Sequence, residues 1–452
     1  MGIQDLIGMI EDNAKDYAIR PFNFERFQGW KITIDTSLMM HKTVKARRAA
    51  SGEDLVNESG MNTSHLHGIF YKCITFLDND IVPIFVFDGK SAPIKSVTCK
   101  KRSQLRKEAE RKLAAITDKK SQEYRRLFAQ VYRPSREEYD ELRIMLDLMG
   151  IPYINAPEEA DPVCAWLTRR RGDDGKRLVD AVCSDDSDMI PLGARYLLKD
   201  MCGSLTRGKM INMVSYRRVK KGLGLDRNGL IDASVLLGTD YCERIKGIGK
   251  KRVMGVIRKH KTLENFLEHL EESSGDSEEF ECIRENIQCM REAVEYFRAA
   301  LDRLDDPDFF QIRKSQVNLR QCQQAELLDF LCIKHGFNVC NIQPKVNALV
   351  KHYRETGVTR PNRGVYHIIS GEKIVPMRRR FHFISDDEEE DDGSSPLKES
   401  DDEVPSGPGE RQRTREQEPP RSSRTKGSSR REDRDDDHIP RTKEVSKRST
   451  RR

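Results

Sequence analysis

The sequence predicts an α/β fold in which a mostly parallel, doubly wound sheet is flanked by helices. Three short β-branched runs predict buried strands, and each contains or ends in aspartate: residues 30–35, 82–88 and 178–186. Helix-favouring segments separate them: residues 64–79, 135–149 and 159–171. Ser135 and Glu138 predict a capping box for the second of these helices. Because strands that alternate with helices pair in parallel, the aspartates are expected at one edge of the sheet.

The composition excludes several classes of protein. The 452 residues are enough for two or three domains. No apolar run approaches the ~18 residues that a membrane span needs, and we expect neither a membrane segment nor a signal peptide. Leu6 stands where a myristoylation signal requires Ser or Thr, so we expect no lipid anchor. The 11 cysteines include no Cys-x-x-Cys pair, which favours reduced thiols in an intracellular protein.

The charged residues, 34% of the chain, are unevenly distributed. Beyond residue 400 the only aliphatic side chains are Val404, Ile439 and Val445, too few for a core. We therefore predict a core at 1–340, an extension at 341–384 and a disordered charged tail at 385–452. Within the core we distinguish three parts: an N-terminal segment at 1–108, a helical arch at about 91–135 and an internal segment at about 135–265. The tail either solubilises the protein or serves through its arginine clusters as a nuclear address or loose nucleic-acid contact.

The predicted arch is strongly basic. Residues 95–133 contain 13 Lys or Arg against 4 Asp or Glu, in a helix-favouring stretch without glycine. Such a run is often only a solvated helix face. This one, however, begins directly after the strand at 82–88, and therefore at the edge where the aspartates gather. A role beside the site is the alternative that its position favours.

Seven acidic residues are candidate metal ligands. They are Asp35, Asp88, Glu159, Asp161, Asp186, Asp188 and Asp240. Any one of them alone could simply be a turn residue. Several carboxylates in one cleft repel one another, and hard divalent cations such as Mg²⁺ remove that repulsion. Two such ions ~3.5–4 Å apart are the usual device for attack on a phosphodiester. No P-loop, nucleophile elbow or dinucleotide-binding fingerprint competes with this reading.

A glycine turn after Asp240 suggests a phosphate contact. Gly247 and Gly249 precede three cations, Lys250, Lys251 and Arg252, and a helical segment at 253–260. Backbone amides at the start of a helix can cradle phosphate. We interpret residues 238–260 as a helix-turn-helix-type clamp for the backbone of duplex nucleic acid, the alternative being a C-cap turn between ordinary helices.

The ordered motifs resemble those of the flap endonuclease family of structure-specific 5′ nucleases, over roughly residues 1–340. In chain order they are MGIQ at 1–4, IDTS at 34–37, VFDGK at 86–90, MGIPY at 149–153, APEEAD at 156–161, SDDSD at 184–188, LLGTDYCE at 236–243 and GIG at 247–249. The resemblance implies that the seven carboxylates hold two Mg²⁺ ions, for which Mn²⁺ can substitute. It also implies that Lys95 and Arg102 contact the scissile phosphate.

The same resemblance extends to the DNA contacts. Arg106 is implied as a further arch cation, and Arg48 and Lys72 are also expected to contact DNA. The backbone carbonyls of Ile245 and Ile248 match positions that hold K⁺ in the family. The implied substrate is branched DNA with a 5′ flap, bound by a monomer.

We therefore expect a nuclear, Mg²⁺-dependent endonuclease that cuts 5′ flaps at the single-strand/duplex junction, with 5′ to 3′ exonuclease activity, in replication or repair. A related nuclease for single-stranded RNA and a catalytically idle junction-binding scaffold are the alternatives. This chain departs from the family at Asp161, often Glu, and at His41, usually Tyr. Glu158 and Asp185 adjoin proposed ligands and leave the register open. The sliding-clamp motif has no clean counterpart after residue 340, the nearest stretch being 373–383.

Overall fold

A seven-stranded sheet forms the centre of the protein in a computed structural model that describes residues 2–90, 96–172, 174–203, 208–274 and 278–358. The strands are β1 (Ile19–Asn23), β2 (Lys31–Asp35), β3 (Val82–Phe87), β4 (Tyr153–Asn155), β5 (Ala181–Cys183), β6 (Tyr196–Lys199) and β7 (Met210–Ser215). Their order across the sheet is β1-β7-β6-β5-β2-β3-β4. The five strands from β6 to β4 pair in parallel, whereas β7 pairs antiparallel with both β6 and β1. The prediction of a mostly parallel sheet is confirmed.

Helices surround the sheet. They are α1 (Leu6–Ala18), α2 (Thr36–Ser51), α3 (Ser64–Asp78), α4 (Ser96–Ala114), α5 (Gln122–Gln130), α6 (Arg136–Met149), α7 (Ala160–Arg169), α8 (Tyr216–Leu223), α9 (Arg227–Leu236), α10 (Val253–His260), α11 (Leu263–Ser274), α12 (Glu278–Asp305), α13 (Gln324–Leu328) and α14 (Val339–Glu355). Four of these, α3, α6, α7 and α10, match helical segments predicted from sequence. The Ser135 side chain accepts from the Glu138 amide and the Glu138 side chain from the Ser135 amide, which confirms the capping box.

Each face of the sheet has its own apolar core, because successive strand residues point to opposite faces. On β3, Ile84 and Val86 pack with residues of α1, α7, α9 and α12. Phe85 and Phe87 belong to the other core, with residues of α3, α6 and α14. Strands buried on both faces read as continuous apolar runs, which is why residues 82–87 were recognisable. The two cores hold the carboxyl ends of the strands in fixed positions.

The predicted arch consists of α4 and α5, joined by residues 115–121. Ser121 begins α5, and its hydroxyl accepts a hydrogen bond from the Tyr124 amide. The second helix packs against α2, whose N-cap residue is Asp35. The arch therefore packs against α2, the helix that follows the candidate metal ligand Asp35. Residues 91–95, where it begins, lie outside the described part of the chain.

Helix α14 spans the proposed boundary between the core and the C-terminal extension. The proposed boundary at 340 falls inside α14, where Ile342, Val346 and Leu349 are buried in the core that contains α3. An amphipathic helix of this length gains most of its stability from such packing, so the folded part continues to its end. The rest of the extension, from 359, and the predicted disordered tail lie outside the described residues. None of the described helices is both long and apolar enough to cross a membrane.

Candidate active site

Three predicted ligands lie at the carboxyl ends of neighbouring parallel strands. Asp35 is the last residue of β2, and Asp88 directly follows β3. Asp186 comes three residues after the end of β5. Because β2 pairs in parallel with β3 on one side and with β5 on the other, all three reach one edge of the sheet. The sequence predicted this arrangement.

The other four candidates come from segments that border this edge. Glu159 is the N-cap residue of α7, and Asp161 lies in the first turn of that helix. Asp188 belongs to a short 3-10 turn, Ser187–Met189, that follows Asp186. Asp240 lies in the connection between α9 and α10. Glu159, Asp186 and Asp188 are buried, with 6%, 6% and 4% of their surfaces exposed.

The carboxylates are close enough to influence one another. Burial, the carboxylate of Asp88 and, more weakly, that of Asp186 raise the pKa of Asp35 well above its usual value. Besides burial, Asp35, Asp161 and Asp88 all raise the pKa of the Cys164 thiol. This is the behaviour of several like charges that share one cleft.

Hydroxyl and amide groups of the protein donate hydrogen bonds to two of these carboxylates. Asp88 accepts hydrogen bonds from the Ser37 hydroxyl at 2.5 Å and from the Ala160 amide at 2.9 Å. Asp35 accepts from the Leu38 amide at 3.1 Å as the N-cap of α2. Among the described residues, no three His, Cys, Asp or Glu side chains are arranged as a preformed metal-binding group. A metal ion would therefore compete with these donors for carboxylate oxygens.

The residues present nevertheless suit hard divalent cations. The donor set consists of carboxylate oxygens, which Mg²⁺ prefers, and Mg²⁺ needs only one or two direct carboxylates because it retains waters. Burial and the neighbouring carboxylates raise the pKa of Asp35, and a bound cation relieves the repulsion among these carboxylates. The carboxylates gathered at this edge of the sheet could thus hold a divalent metal, and the part of Asp240 in such a site stays a prediction.

The N-terminus packs directly against this cluster, a contact that sequence analysis missed. The Ile3 amide donates to Asp188 Oδ1 at 3.0 Å, and the Ser187 hydroxyl donates to the Ile3 carbonyl at 3.1 Å. Gly2 has a positive φ of 82°, and a Cβ there would lie 2.1 Å from Asp186 Oδ1 and 2.8 Å from Asp188 Oδ1. Only glycine fits this position without moving the two aspartates. The glycine in MGIQ was the available signal.

Gly2→Ala is therefore expected to slow metal-dependent cleavage of nucleic acid by at least about tenfold, because the added methyl group displaces the candidate metal ligands Asp186 and Asp188. Single-turnover cleavage measures the effect, and a thermal melt reports folding. Gly60→Ala is the matched control because Gly60 has a similar φ of 76° but open space around its Cα. Equal losses in the two variants would show that backbone strain, and not contact with the aspartates, is responsible.

Arch cations face the carboxylate cluster. Arg102 of α4 donates to Asp240 Oδ2 at 2.5 Å, so the arch and the clamp loop meet at the site. Burial and the nearby cations Lys45, Arg102 and Arg106 lower the pKa of His41 to about 4, which keeps that imidazole neutral. Sequence analysis singled out Arg102 and Arg106 but missed Lys45, which α2 brings beside them. Lys95 lies outside the described residues.

Two residues predicted to contact DNA have partners within the protein, and their contacts with DNA stay predictions. Arg48 donates to both Asp54 oxygens at 2.7 Å, and its guanidinium lies over the rings of Phe128 and Tyr132. It therefore fastens α5 to α2. The Lys72 amino group donates to the carbonyl of Gly203 and is half-buried, and burial lowers its pKa. Position in the sequence could not reveal these intramolecular partners.

The predicted clamp has a helix-loop-helix form, α9 and α10 joined by residues 237–252. The Gly249 carbonyl accepts from the amides of Arg252 and Val253 at 2.9 and 3.1 Å, which turns the chain into α10. A Cβ at Gly249 would meet nothing within 4 Å, so a partner can approach the backbone closely. Lys251 and Arg252 are exposed.

Two other parts of the predicted clamp have partners inside the protein. Lys250 forms an ion pair with Asp12 of α1 at 3.1 Å. The Ile248 amide donates to the Ile245 carbonyl at 3.0 Å. K⁺ binding by the carbonyls of Ile245 and Ile248 stays a prediction.

The structure also separates the two neighbouring acids from the site. Glu158 forms a two-pronged ion pair with Arg303 at 2.8 and 3.1 Å. Asp185 forms an ion pair with Lys42 and accepts from the Asp200 amide at 2.6 Å. Both carboxylates therefore serve structural contacts, which favours Glu159 and Asp186 as the site residues.

Comparison with known proteins agrees with this architecture. The XPG N-terminal domain matches residues 1–109, and the XPG I-region matches residues 150–240. Flap endonuclease 1 of Homo sapiens is 34% identical over 352 residues, which are 78% of this chain and 87% of that protein. Flap endonuclease 1 of Eremothecium gossypii is 33% identical over 351 residues, 78% of this chain and 88% of that protein.

Solved structures share the fold. Flap endonuclease-1 from Methanococcus jannaschii aligns with a TM-score of 0.55 at 23% identity, over 78% of this chain and 99% of that one. The catalytic core of Rad2 in complex with DNA substrate aligns with a TM-score of 0.53 at 22% identity, over 77% of this chain and all of that one. From the sequence relatives and the matched domains we conclude that this chain is a nuclease of the flap endonuclease family.

Proposed function

We propose that this protein is a Mg²⁺-dependent nuclease that cuts 5′ flaps of DNA at the junction of single strand and duplex. The observation that carries the proposal is the gathering of carboxylates at the carboxyl edge of the sheet, with Arg102 of the basic arch bonded to one of them. The Rad2 core, which shares the fold, is described in complex with DNA substrate, and this favours DNA over RNA.

The chemistry divides between a bound metal and the side chains. Two divalent ions held by the seven carboxylates would supply a water-derived nucleophile at neutral pH and stabilise the leaving oxygen. Arg102 and Lys95 would neutralise charge that builds on the phosphate. The arch would guide the single strand through its cations. One nitrogen of the Arg102 guanidinium is bonded to Asp240, and the other N–H groups would be available to a substrate phosphate.

The duplex would be held by the clamp through its phosphates, so recognition depends on shape and not on sequence. Lys251→Ala should weaken binding to blunt duplexes of any sequence. It should also reduce the slope of log affinity against log salt by about one, the value for one lost phosphate contact. Fluorescence anisotropy over a salt series gives both quantities.

The matched control for this clamp variant is Lys176→Ala. Lys176 is also exposed, but it lies in the turn before β5, at the opposite edge of the sheet. If Lys251→Ala binds duplex with the wild-type affinity and salt slope, the proposed clamp is wrong.

The decisive experiment is single-turnover cleavage of a 5′-labelled flap DNA, with Mg²⁺ and with chelator. Blunt duplex, single-stranded DNA and single-stranded RNA are the controls. A Mg²⁺-dependent cut at the flap junction is the expected result, with weaker stepwise degradation of duplex from its 5′ end. Preferred cutting of RNA would contradict the proposed substrate, and binding without cutting would support a scaffold.

We also propose a nuclear role in replication or repair, for a monomer. The support is the family membership together with arginine clusters in the C-terminal sequence, such as residues 378–380. These clusters lie outside the described residues. A truncated protein ending at residue 358 that still enters the nucleus would contradict the proposed signal.

A further inference from the structure

Two tyrosines converge on one oxygen of the proposed metal ligand Glu159. The Tyr296 hydroxyl donates to Glu159 Oε2 at 2.8 Å, and the Tyr241 hydroxyl donates to the same oxygen at 3.3 Å. Glu159 is the N-cap residue of α7, but its side chain does not bond to the amides of that helix. Its orientation therefore depends on tertiary contacts of this kind.

The two tyrosines come from distant parts of the chain. Tyr241 follows Asp240 in the loop between the clamp helices, whereas Tyr296 lies in α12. Their rings are 4.7 Å apart, and Tyr241 also packs edge-on against Phe297 at 5.6 Å. Packed rings of this size have few alternative rotamers, so the hydroxyl groups are held in place.

Further contacts fix α12 against both ends of α7. Beyond Tyr296, Arg303 binds the two oxygens of Glu158, the residue just before Glu159. Asp305 accepts from Trp166 Nε1 at 2.5 Å and pairs with Arg170 at the other end of α7. The helix that carries Tyr296 is therefore held in a fixed position relative to the helix that begins at Glu159.

We propose that Tyr296, assisted by Tyr241, is a positioning residue that holds the Glu159 carboxylate in the orientation needed to bind the metal. Donors to a ligating carboxylate fix its orientation, and their loss commonly weakens metal binding. The hydrogen bonds also spread the charge of Glu159 in a cleft that contains the buried Asp188. This inference rests on the proposed metal-dependent function.

The test is Tyr296→Phe, which removes the hydroxyl and keeps the ring. We expect Mn²⁺ to bind about tenfold more weakly, which is the lower end of the effect of removing a hydrogen-bond donor to a metal ligand. The loss of the electron paramagnetic resonance signal of free Mn²⁺ measures this affinity. The Mg²⁺ concentration for half-maximal cleavage should rise by a similar factor. At saturating Mg²⁺ the rate should return close to that of wild type, and flap affinity in Ca²⁺ should not change. Tyr241→Phe should produce the same pattern with a smaller shift.

Tyr153→Phe is the matched control. Tyr153 also donates to a carboxylate, Asp147 at 2.9 Å, but Asp147 is not one of the candidate metal ligands. Unchanged Mn²⁺ affinity in Tyr296→Phe, or an equal shift in Tyr153→Phe, would overturn the inference. If wild-type protein binds Mn²⁺ but cuts no flap, the substrate proposal fails and the Mn²⁺ titration still tests Tyr296. If wild-type protein binds no divalent metal, both fail.

Discussion

Asp186→Asn should abolish flap cleavage while leaving flap affinity in Ca²⁺ close to that of wild type. Asp186 is buried three residues after the end of β5, within electrostatic range of Asp35, and its Oδ1 also accepts from the Asp188 amide at 3.0 Å. Asparagine preserves the shape but removes the charge that binds a cation. Losing several kcal/mol of charge stabilisation in the transition state corresponds to a fall of roughly 10³-fold or more in rate. Single-turnover cleavage in saturating Mg²⁺ measures it.

The adjacent residue supplies the control. Asp185→Asn makes the same chemical change one position away, but Asp185 is bound to Lys42 and to the Asp200 amide. We expect a modest loss of thermal stability, because partly exposed ion pairs contribute little to the free energy of unfolding. The cleavage rate should stay within a few-fold of that of wild type. If instead Asp185→Asn loses the activity and Asp186→Asn keeps it, the assignment of the two aspartates must be reversed.

Arg102→Ala should slow the chemical step by about 100-fold, a typical cost of removing one group that stabilises developing charge. Arg102 reaches the site from the arch, where it bonds to Asp240 at 2.5 Å, and half of its side chain is exposed to an incoming phosphate. Affinity for duplex should be unaffected because the clamp lies on another segment. Quenched-flow kinetics at saturating enzyme separates the chemical step from binding.

Arg111→Ala is the control for this effect. It removes the same charge from the same helix, nine residues along, or about 13 Å from Arg102. Its loss should weaken capture of the single strand slightly and leave the single-turnover rate unchanged. The role of Arg102 in chemistry would be refuted if both variants lowered affinity equally and neither changed the rate at saturation.

The sequence alone predicted three of the seven strands, the basic helical segment of the arch, the clamp segment and the candidate ligands. These features are local: a buried parallel strand is a continuous apolar run, and an aspartate at its end needs only the strand to be placed. Short stretches of sequence also specify the capping box at Ser135 and Glu138 and the glycine turn before α10. Ordered motifs over some 340 residues then identified the family.

Only the tertiary structure decided which side chains meet across the fold. The Ile3 amide bonds to Asp188 across 185 residues, and Tyr296 reaches Glu159 across 137 residues. Arg48 contacts Asp54 and Phe128, because the packing of α5 on α2 supplies partners that the sequence does not reveal. Likewise, Lys42 and Arg303 engage Asp185 and Glu158 and so separate them from their neighbours. Such contacts depend on the docking of elements far apart in the chain, whereas sequence periodicity reports only the local face that each element buries.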